Sequence, residues 1–386
     1  PSGTMLFRLG GAIRGIGGTA TGEQTSLSNR LAAYEVLTGK LKWHIGGAAG
    51  QHALRQAETF FLGPPLPLLG QLYVLGEIKG EVRLMALDGA TGNLLWSQQL
   101  AVAEQSVLQN PLRRWSGASP SYADGVLVCP TSSGAIVAVD LTTRSLLWGY
   151  QYGPGRTGKR RNVGISSVAG GPGTSRWIDG SVSIADGRVL ATPVESDSLY
   201  CLNLIDGKEV WKSPRQGDLY VACVDRGKVV LVGRRAVRAL RMSDGQPAWD
   251  GRTIDLPEDS MPSGRGFLGN DRYFLPLGNV EVVGIDLSAG KIVQAAKSRK
   301  GNVPGNLICH RGKVVSQGLD GVDAYYQLDA VQAEVERRLA ANTYDAEALA
   351  LRGEILLDAG RRSEAVASFR RAYDLKPDQR TLELFR

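Results

Sequence analysis

The sequence predicts an all-β propeller of about seven four-stranded blades, within a range of six to eight, followed by a small α-helical hairpin. Two observations lead to this fold class. An apolar stretch running into a short turn and then, usually, a tryptophan occurs six times, and after Leu328 the apolar period changes from that of strands to that of helices. We therefore divide the chain into a propeller, residues 1–328, and a helical linker with one helix pair, residues 329–386.

The repeated motif defines the predicted blades. Its copies are LAAYEVLTGKLKW (31–43), LMALDGATGNLLW (84–96), IVAVDLTTRSLLW (136–148), LYCLNLIDGKEVW (199–211), VRALRMSDGQPAW (237–249) and EVVGIDLSAGKIV (281–293). Upstream of most copies, short strands alternate with Gly and Asp turns, which is typical of antiparallel hairpins. Successive motif tryptophans are 38 to 63 residues apart, a period that suits one propeller blade per copy.

Large and turn-forming residues of the motif have predicted structural roles. Because a blade cannot bury both faces alone, we expect the tryptophans to fill the wedges between neighbouring blades. These tryptophans are Trp43, Trp96, Trp148, Trp211 and Trp249. Gly92 is interpreted as a turn glycine, and Asp88, Asp140 and Asp286 as acceptors for backbone N–H groups within the turns.

The two ends of the array are incomplete. A seventh unit at 307–328 lacks the trailing turn and tryptophan. Residues 4–18, which correspond to the upstream half of the first unit, match the repeat poorly. Ring closure with an N-terminal strand completing the last blade would leave this pattern, and so would truncation upstream. Because the chain begins at Pro1 rather than Met, we expect a processed product or a fragment.

The C-terminal segment carries a helical pattern. Residues 345–378 match a tetratricopeptide repeat, with small or bulky residues where that repeat requires them: Gly353, Ala365, Phe369, Ala372 and Pro377. The first two would allow close approach of the helices, the next two would form the inner face of the second helix, and the proline would stop it. Since one such repeat rarely stands alone, we expect the hairpin to cap the propeller, to pair with another chain or to continue into further residues.

Composition excludes several classes of function. The net charge is +7, but the one dense basic cluster, Lys159–Arg161, lacks interleaved aromatic residues, so we expect no nucleic-acid partner. No apolar run is long enough to span a membrane.

The cysteines are widely spaced without a CxxC pair, which excludes a zinc ribbon and predicts buried free thiols. Three scattered histidines and no catalytic motif leave no residue that we assign to catalysis or to a metal.

The turn motif resembles the repeat of pyrroloquinoline-quinone-type propellers, best in ALDGATGNLLW at 86–96. That family includes quinone-dependent alcohol dehydrogenases and non-enzymatic relatives such as the BamB-like outer-membrane assembly lipoproteins. The resemblance covers roughly residues 28–328 and implies a periplasmic or cell-envelope setting. The chain also looks like the C-terminal part of large planctomycete-type envelope proteins that join such a propeller to a helical tail. The quinone enzymes have an adjacent Cys-Cys disulfide, Ca²⁺ ligands and a catalytic Asp, and no residue here matches those positions by motif.

Two main functions remain open. In the first, the chain is a non-catalytic scaffold that binds a protein or peptide through its loop face and its tetratricopeptide helices, without a cofactor. The alternative is a quinone-dependent oxidoreductase that holds pyrroloquinoline quinone and Ca²⁺ at the propeller axis. A third option is glycan or cell-surface binding through exposed Trp115 and Trp177. The candidate contact residues, all in loops that open repeat units, are Arg114, Trp115, Arg161, Trp177 and Arg265.

Overall fold

The computed structural model describes residues 5–10, 28–50, 53–152, 177–178, 180–269, 271–298, 301–310, 313–318, 321–326, 328–377 and 382. The predicted fold class is confirmed, because these residues form seven antiparallel sheets of the propeller-blade type and a C-terminal group of helices. The chain divides into two compact units, Pro1–Asp255 and Leu256–Arg386.

The first unit contains five sheets. Sheet 1 consists of β1 (Met5–Gly10), β2 (Arg30–Glu35) and β3 (Leu41–Gly46). Sheet 2 consists of β4 (Phe60–Phe61), β5 (Leu66–Leu68), β6 (Gln71–Ile78), β7 (Glu81–Asp88) and β8 (Leu94–Val102). Sheet 3 consists of β9 (Ser121–Ala123), β10 (Val126–Pro130), β11 (Ala135–Asp140) and β12 (Leu146–Gln151). Sheet 4 consists of β13 (Val182–Ala185), β14 (Arg188–Ala191), β15 (Ser198–Asn203) and β16 (Glu209–Pro214). Sheet 5 consists of β17 (Asp218–Asp225), β18 (Lys228–Gly233), β19 (Ala236–Arg241) and β20 (Ile254–Asp255).

The second unit contains two sheets and three helices. Sheet 6 consists of β21 (Phe267–Gly269), β22 (Arg272–Leu277), β23 (Glu281–Asp286) and β24 (Lys291–Lys297). Sheet 7 consists of β25 (Asn306–His310), β26 (Lys313–Gln317) and β27 (Val322–Tyr326). A short helix in the first unit is α1 (Pro111–Arg114), and the C-terminal helices are α2 (Leu328–Ala341), α3 (Ala346–Asp358) and α4 (Arg362–Leu375).

In every sheet except sheet 2, the described strands pair in chain order, because tight Gly and Asp turns join sequential strands. In sheet 2, β4 and β5 both pair with β6. The core of the first unit lies between successive sheets. Leu75 and Leu84 of sheet 2, for example, are fully buried against Leu127 and Val139 of sheet 3. This arrangement is the one that the repeat predicts, since neither face of a single blade could be buried without its neighbour.

The N-terminal strand β1 belongs to sheet 1. Its residues pair antiparallel with β2, from Met5 opposite Glu35 to Gly10 opposite Arg30, inside sheet 1. Of the two explanations for the incomplete ends, ring closure and truncation, the pairing of β1 with β2 does not support the first for this strand. The last sheet has three described strands and, as its sequence suggested, lacks the outer strand that carries the tryptophan.

The C-terminal helices pack closely. A Cβ atom on Gly353 of α3 would lie 2.6 Å from the ring of Phe369 on α4, so glycine is required for this approach. Ala365, Phe369 and Ala372 are buried on α4, which ends at Leu375 just before Pro377. The pair thus has the packing that the pattern predicts, but the assignment to the tetratricopeptide class stays a prediction.

The cysteines are free thiols, as predicted. Cys129 and Cys201 are buried, whereas Cys223 and Cys309 are half-buried, so the prediction of burial holds for two of them. Burial raises the pKa of the Cys201 and Cys223 thiols to about 12. Such thiols are almost entirely protonated at neutral pH and are poor nucleophiles. Among the described helices, none has the length and apolar character needed to cross a membrane.

Candidate functional site

The strands of the first unit run between two distinct ends. One end, which we call the turn end, carries the motif turns at residues 88–93, 140–145, 203–208 and 241–246. The other, the loop end, carries the hairpins at 79–80, 131–134, 192–197 and 234–235 and the connections between sheets at 103–120 and 215–217.

At the turn end, the tryptophan of one sheet rests on the turn of the next. The indole nitrogens of Trp43, Trp148 and Trp211 donate to the next sheet's carbonyl oxygens of Gly89, Leu204 and Met242, at 3.2, 2.8 and 2.8 Å. In each case, the left-handed glycine of that turn lies directly under the ring. A Cβ atom would lie 2.5–2.7 Å from the indole at Gly92, Gly207 and Gly245. These tryptophans therefore fill the wedges between sheets.

Two motif tryptophans depart from this arrangement. Trp249 lies in a 3-10 turn at Trp249–Gly251 and has a left-handed φ of 52°, whereas the others lie on outer strands. Trp96 is on its outer strand, but the next turn has Arg144 in place of glycine, and the guanidinium carbon lies 5.7 Å from the indole centroid. The three tryptophans that donate to the next sheet, Trp43, Trp148 and Trp211, each meet a glycine in the turn of that sheet.

The motif aspartates close their own turns. Asp88 Oδ1 accepts from the backbone and hydroxyl of Thr91 at 2.8 and 2.7 Å, and Asp140 makes the same pair of bonds with Thr143. In the second unit, Asp286 accepts from Ser288 and Ala289. These hydrogen bonds stabilise the ionised form and hold the pKa of all three carboxyls below the usual value.

Buried polar side chains of the first unit, as far as the structure describes it, all lie at the loop end. They are Asn29, Thr59, Glu77, Arg113, Ser116, Thr131, Ser132, Thr192, Ser196, Ser213, Arg215 and Asp218. Polar groups out of contact with water need partners within the protein, so their concentration here distinguishes this end from the apolar core.

The connection between sheets 2 and 3 is anchored by a buried ion pair. Arg113 Nη1 lies 2.6 Å from Glu77 Oε2, and the two side chains are only 6% and 2% exposed. Arg113 Nε donates to the Ser132 carbonyl at 2.8 Å, and Glu77 Oε1 accepts from the Val107 backbone at 2.8 Å. The pair thus joins the end of β6, helix α1 and the hairpin of sheet 3.

Helix α1 presents an aromatic side chain at this end. Asn110 caps the helix by accepting from the backbone of Leu112 and Arg113, and Pro111 occupies its first turn. Trp115 follows as the C-terminal cap and is 44% exposed. Because the buried side chain of Arg113 anchors the helix, the exposed indole is held on a rigid support.

A second charged network joins sheets 4 and 5. Arg238 Nη2 lies 2.6 Å from Asp218 Oδ2, and Arg215 Nη1 donates to the Asp218 carbonyl at 2.9 Å. Burial raises the pKa of the Asp218 carboxyl and the Arg238 hydrogen bond only partly offsets that effect. Burial likewise lowers the pKa of Arg215. Desolvation therefore shapes ionisation at this end, in contrast to the hydrogen-bonded carboxyls of the turn end.

Sheets 3 and 4 meet at the loop end through a tyrosine. The Tyr152 hydroxyl donates to Glu195 Oε1, which also accepts from the Gly134 backbone at 3.4 Å. Burial and the neighbouring Glu195 carboxylate raise the pKa of Tyr152 well above its usual value. The ring of Tyr152 packs on that of Tyr200, with centroids 5.6 Å apart. Tyr152 therefore remains a protonated hydrogen-bond donor.

The structure describes four of the five candidate contact residues, and these four differ in exposure. Trp115 is exposed, and Arg114, beside it, is half-buried. Trp177 is 3% exposed within the core of sheets 4 and 5 and donates to the Ser198 carbonyl at 3.2 Å, so its expected exposure is wrong. The glycan-binding option, which required both tryptophans, loses one of them. Arg265 is half-buried in the second unit, and Arg161 lies outside the described residues.

Sequence reasoning missed the charged residues that build the loop end. Glu77 closes the apolar run of β6, Asp218 opens β17, and Glu195 lies in the hairpin 192–197. None belongs to a repeated motif, and their partners are distant in the chain. The available signal was a charge directly at the end of a buried strand, where a partner is required.

The residues described do not fit a calcium-bound quinone. Within those ranges, no group of three or more His, Cys, Asp or Glu side chains is placed to hold a metal ion. The described cysteines are all free thiols, whereas the resemblance to quinone enzymes implies an adjacent disulfide. We therefore derive no chemistry through such a cofactor.

Comparison with known proteins identifies one family model and several similar folds. The model described as outer membrane protein assembly factor BamB matches residues 17–172 and again 165–318. BamB from Moraxella catarrhalis has a similar structure, with a TM-score of 0.52 and 18% identity over 76% of this chain and 78% of that chain. A europium-containing methanol dehydrogenase matches with a TM-score of 0.46 and 14% identity over 78% and 73% of the two chains. No curated protein matches the sequence. At these identities, the structural matches show a shared fold only.

Proposed function

The chain belongs to the family described as outer membrane protein assembly factor BamB, and on that premise we propose that it is a non-catalytic, protein-binding propeller of the cell envelope. The family supports an envelope location, and the propeller fold supports a role in protein interaction. In this proposal, the loop end of the first unit is the binding surface and Trp115 is its central contact.

One observation carries the proposal: Trp115 is exposed on a helix that is fixed by a buried ion pair. Exposed aromatic side chains on rigid supports are the residues that contribute most to protein interfaces, because little conformational entropy is lost on binding. The Arg113–Glu77 pair, 2.6 Å apart, supplies that rigidity. Arg114, half-buried beside the indole, adds a cationic side chain of the type enriched at interfaces.

Site-specific photo-crosslinking in living cells tests this surface. We expect a photoreactive residue in place of Trp115 to give a discrete crosslinked envelope protein. The matched control is Ile308, an apolar residue of β25 that is 65% exposed, and it should give none. Equal crosslinking from both positions, or from Ile308 alone, would contradict a binding surface at the loop end.

The non-catalytic part of the proposal has its own test. Isothermal titration of the purified chain with pyrroloquinoline quinone and Ca²⁺ is expected to show no heat of binding and no change in the quinone absorbance. Binding at micromolar concentration or tighter would overturn it and support the quinone-dependent oxidoreductase instead.

A further inference from the structure

One motif turn differs from all the others at its left-handed position. Glycine occupies this position in five copies, with φ between 63° and 70°: Gly39, Gly92, Gly207, Gly245 and Gly290. Arg144 occupies it in the third copy, with φ of 60°. A side chain is costly in this conformation, and backbone strain of this kind concentrates at sites that bind.

Gly92, Gly207 and Gly245 each lie under a tryptophan of the preceding sheet, whereas Arg144, at the same turn position, carries an exposed side chain. Its guanidinium stacks over Trp96, which is half-buried, at 5.7 Å from the ring centroid. Trp43, Trp148 and Trp211 donate their indole N–H to the next sheet. In the part of the chain that the structure describes, the Trp96 indole N–H has no protein acceptor and Arg144 has no carboxylate partner.

An apolar surface lies beside this stacked pair. Leu94 and Leu95, at the start of β8, are 41% and 47% exposed and precede Trp96 directly. The guanidinium donors, the indole N–H and two leucines thus lie on one short stretch of the outer rim. A cation stacked on an aromatic ring keeps its N–H edges free for a carboxylate.

The same rim offers an unprotected strand edge. β8 is the outermost strand of sheet 2 and pairs only with β7 among the described strands. It is nine residues long, and its sequence, LLWSQQLAV, contains no charge and no proline. The outer strand β3 contains Lys42, and β16 contains Lys212 and ends in Pro214. Charges and prolines normally prevent strand addition at an edge, and β8 lacks both.

The neighbouring outer strand is a weaker candidate for such pairing. β12 also lacks charge, but it has six residues, contains Gly149 and ends near Tyr150, which donates to Glu209 of the next sheet. Glycine weakens a strand, and the tyrosine contact covers part of this rim. The stacked arginine and a long edge without charge or proline therefore coincide only at β8 in the first unit as described.

We propose that the outer edge of β8, together with Trp96 and Arg144, docks an extended acidic segment of a partner protein. The partner backbone adds to β8 as a further strand, its apolar side chains cover Leu94 and Leu95, and one of its carboxylates pairs with the Arg144 guanidinium. The free guanidinium selects a negative charge, and the open edge selects an extended backbone. Trp96 and Arg144 lie at the turn end of this edge, apart from the loop-end surface around Trp115 proposed above.

Fluorescence anisotropy with a labelled peptide of alternating valine and glutamate tests the site. We expect saturable binding to the full chain and binding about tenfold weaker for the peptide in which lysine replaces glutamate. The same peptide with alternate backbone nitrogens methylated cannot pair with an edge strand and should also bind about tenfold more weakly. Equal binding of the acidic and lysine peptides, or of the methylated and unmethylated peptides, overturns the proposal.

The decisive variant is Arg144→Gly, because it restores the residue found in the other five copies and removes the guanidinium. We expect it to fold normally by circular dichroism and to bind the acidic peptide about tenfold more weakly than wild type. The matched control is Arg235→Ala, which removes an exposed arginine of the loop end and should leave binding unchanged. Wild-type affinity in Arg144→Gly, or equal losses in both variants, overturns the role of Arg144. Loop-end crosslinking from position 115 should be unaffected by Arg144→Gly.

Discussion

The two ends of the first unit are stabilised in different ways. At the turn end, the same interactions recur. A tryptophan packs on the glycine of the next turn, and an aspartate accepts hydrogen bonds within its own turn. The loop end uses buried charged pairs, such as Arg113 with Glu77, whose members are far apart in the chain. The repeated turns suit a scaffold. Charged pairs between residues far apart in the chain can differ from loop to loop, and a specific binding surface requires such differences.

The largest expected effect tests the buried pair of the loop end. Glu77→Ala leaves Arg113 buried without its carboxylate partner, so we expect a loss of about 3–5 kcal/mol in the free energy of unfolding. Urea denaturation measures this loss. The control is Glu81→Ala in the same sheet, whose partner Arg83 is 30% exposed, and a loss of no more than about 1 kcal/mol is expected. Similar losses in both variants would show that the loop end does not depend on the buried pair.

The next effect tests the packing of tryptophan on glycine at the turn end. Gly207 and Gly187 belong to the same sheet and have φ of 69° and 66°, but a Cβ atom at Gly207 would lie 2.5 Å from Trp148 and one at Gly187 would meet nothing. Gly187→Ala should cost about 1–2 kcal/mol from backbone strain alone. Gly207→Ala should cost about 1–3 kcal/mol more, because the ring must move.

Thermal or urea unfolding of the two variants gives the difference directly. Equal destabilisation would mean that the tryptophan wedge adapts freely, and the turn end would then be no more rigid than an ordinary hairpin.

A smaller effect is expected at the exceptional turn. Arg144→Gly relieves left-handed strain of about 1–2 kcal/mol but loses the stacking on Trp96 and gains glycine's entropic cost, so stability should change by no more than about 1 kcal/mol. Differential scanning calorimetry measures the change. A large loss of stability would make Arg144 a structural residue and would remove the distinction between this turn and the others.

The smallest effect is a difference in the sign of pH dependence between the ends. Hydrogen bonds from Thr143 lower the pKa of Asp140, so its contribution to stability is present above the unfolded value of 3.8 and is lost as pH falls through the folded pKa. Burial raises the pKa of Asp218, so stability decreases as pH rises from 3.8 through its folded pKa. Asp140→Asn and Asp218→Asn should therefore remove slopes of opposite sign.

Urea titrations between about pH 2 and pH 6 measure these slopes for wild type and both variants. Slopes of the same sign would show that hydrogen bonding, rather than burial, controls ionisation at both ends.

The turn end was almost fully predictable because its interactions are short in sequence. The aspartates reach residues three positions ahead, and the glycine is fixed by its left-handed backbone. Even there, the backbone conformation of Trp249 was not predicted, since its turn departs from the strand geometry of the other copies. The prediction for Trp177 failed for a related reason: a loop position suggested exposure, but tertiary packing buries the ring in the core of sheets 4 and 5.

The blade type, the approximate number of blades, the helical tail and the turn chemistry could all be predicted from the sequence, because period and turn residues are local properties of the chain. Tertiary structure alone decided which charges are buried together, which of Trp115 and Trp177 is exposed, and that Arg144 stacks on the ring of the preceding sheet. The physical reason is that burial and pairing depend on residues brought together from different sheets. For Glu77 and Arg113, 36 positions apart, no local pattern encodes the partner.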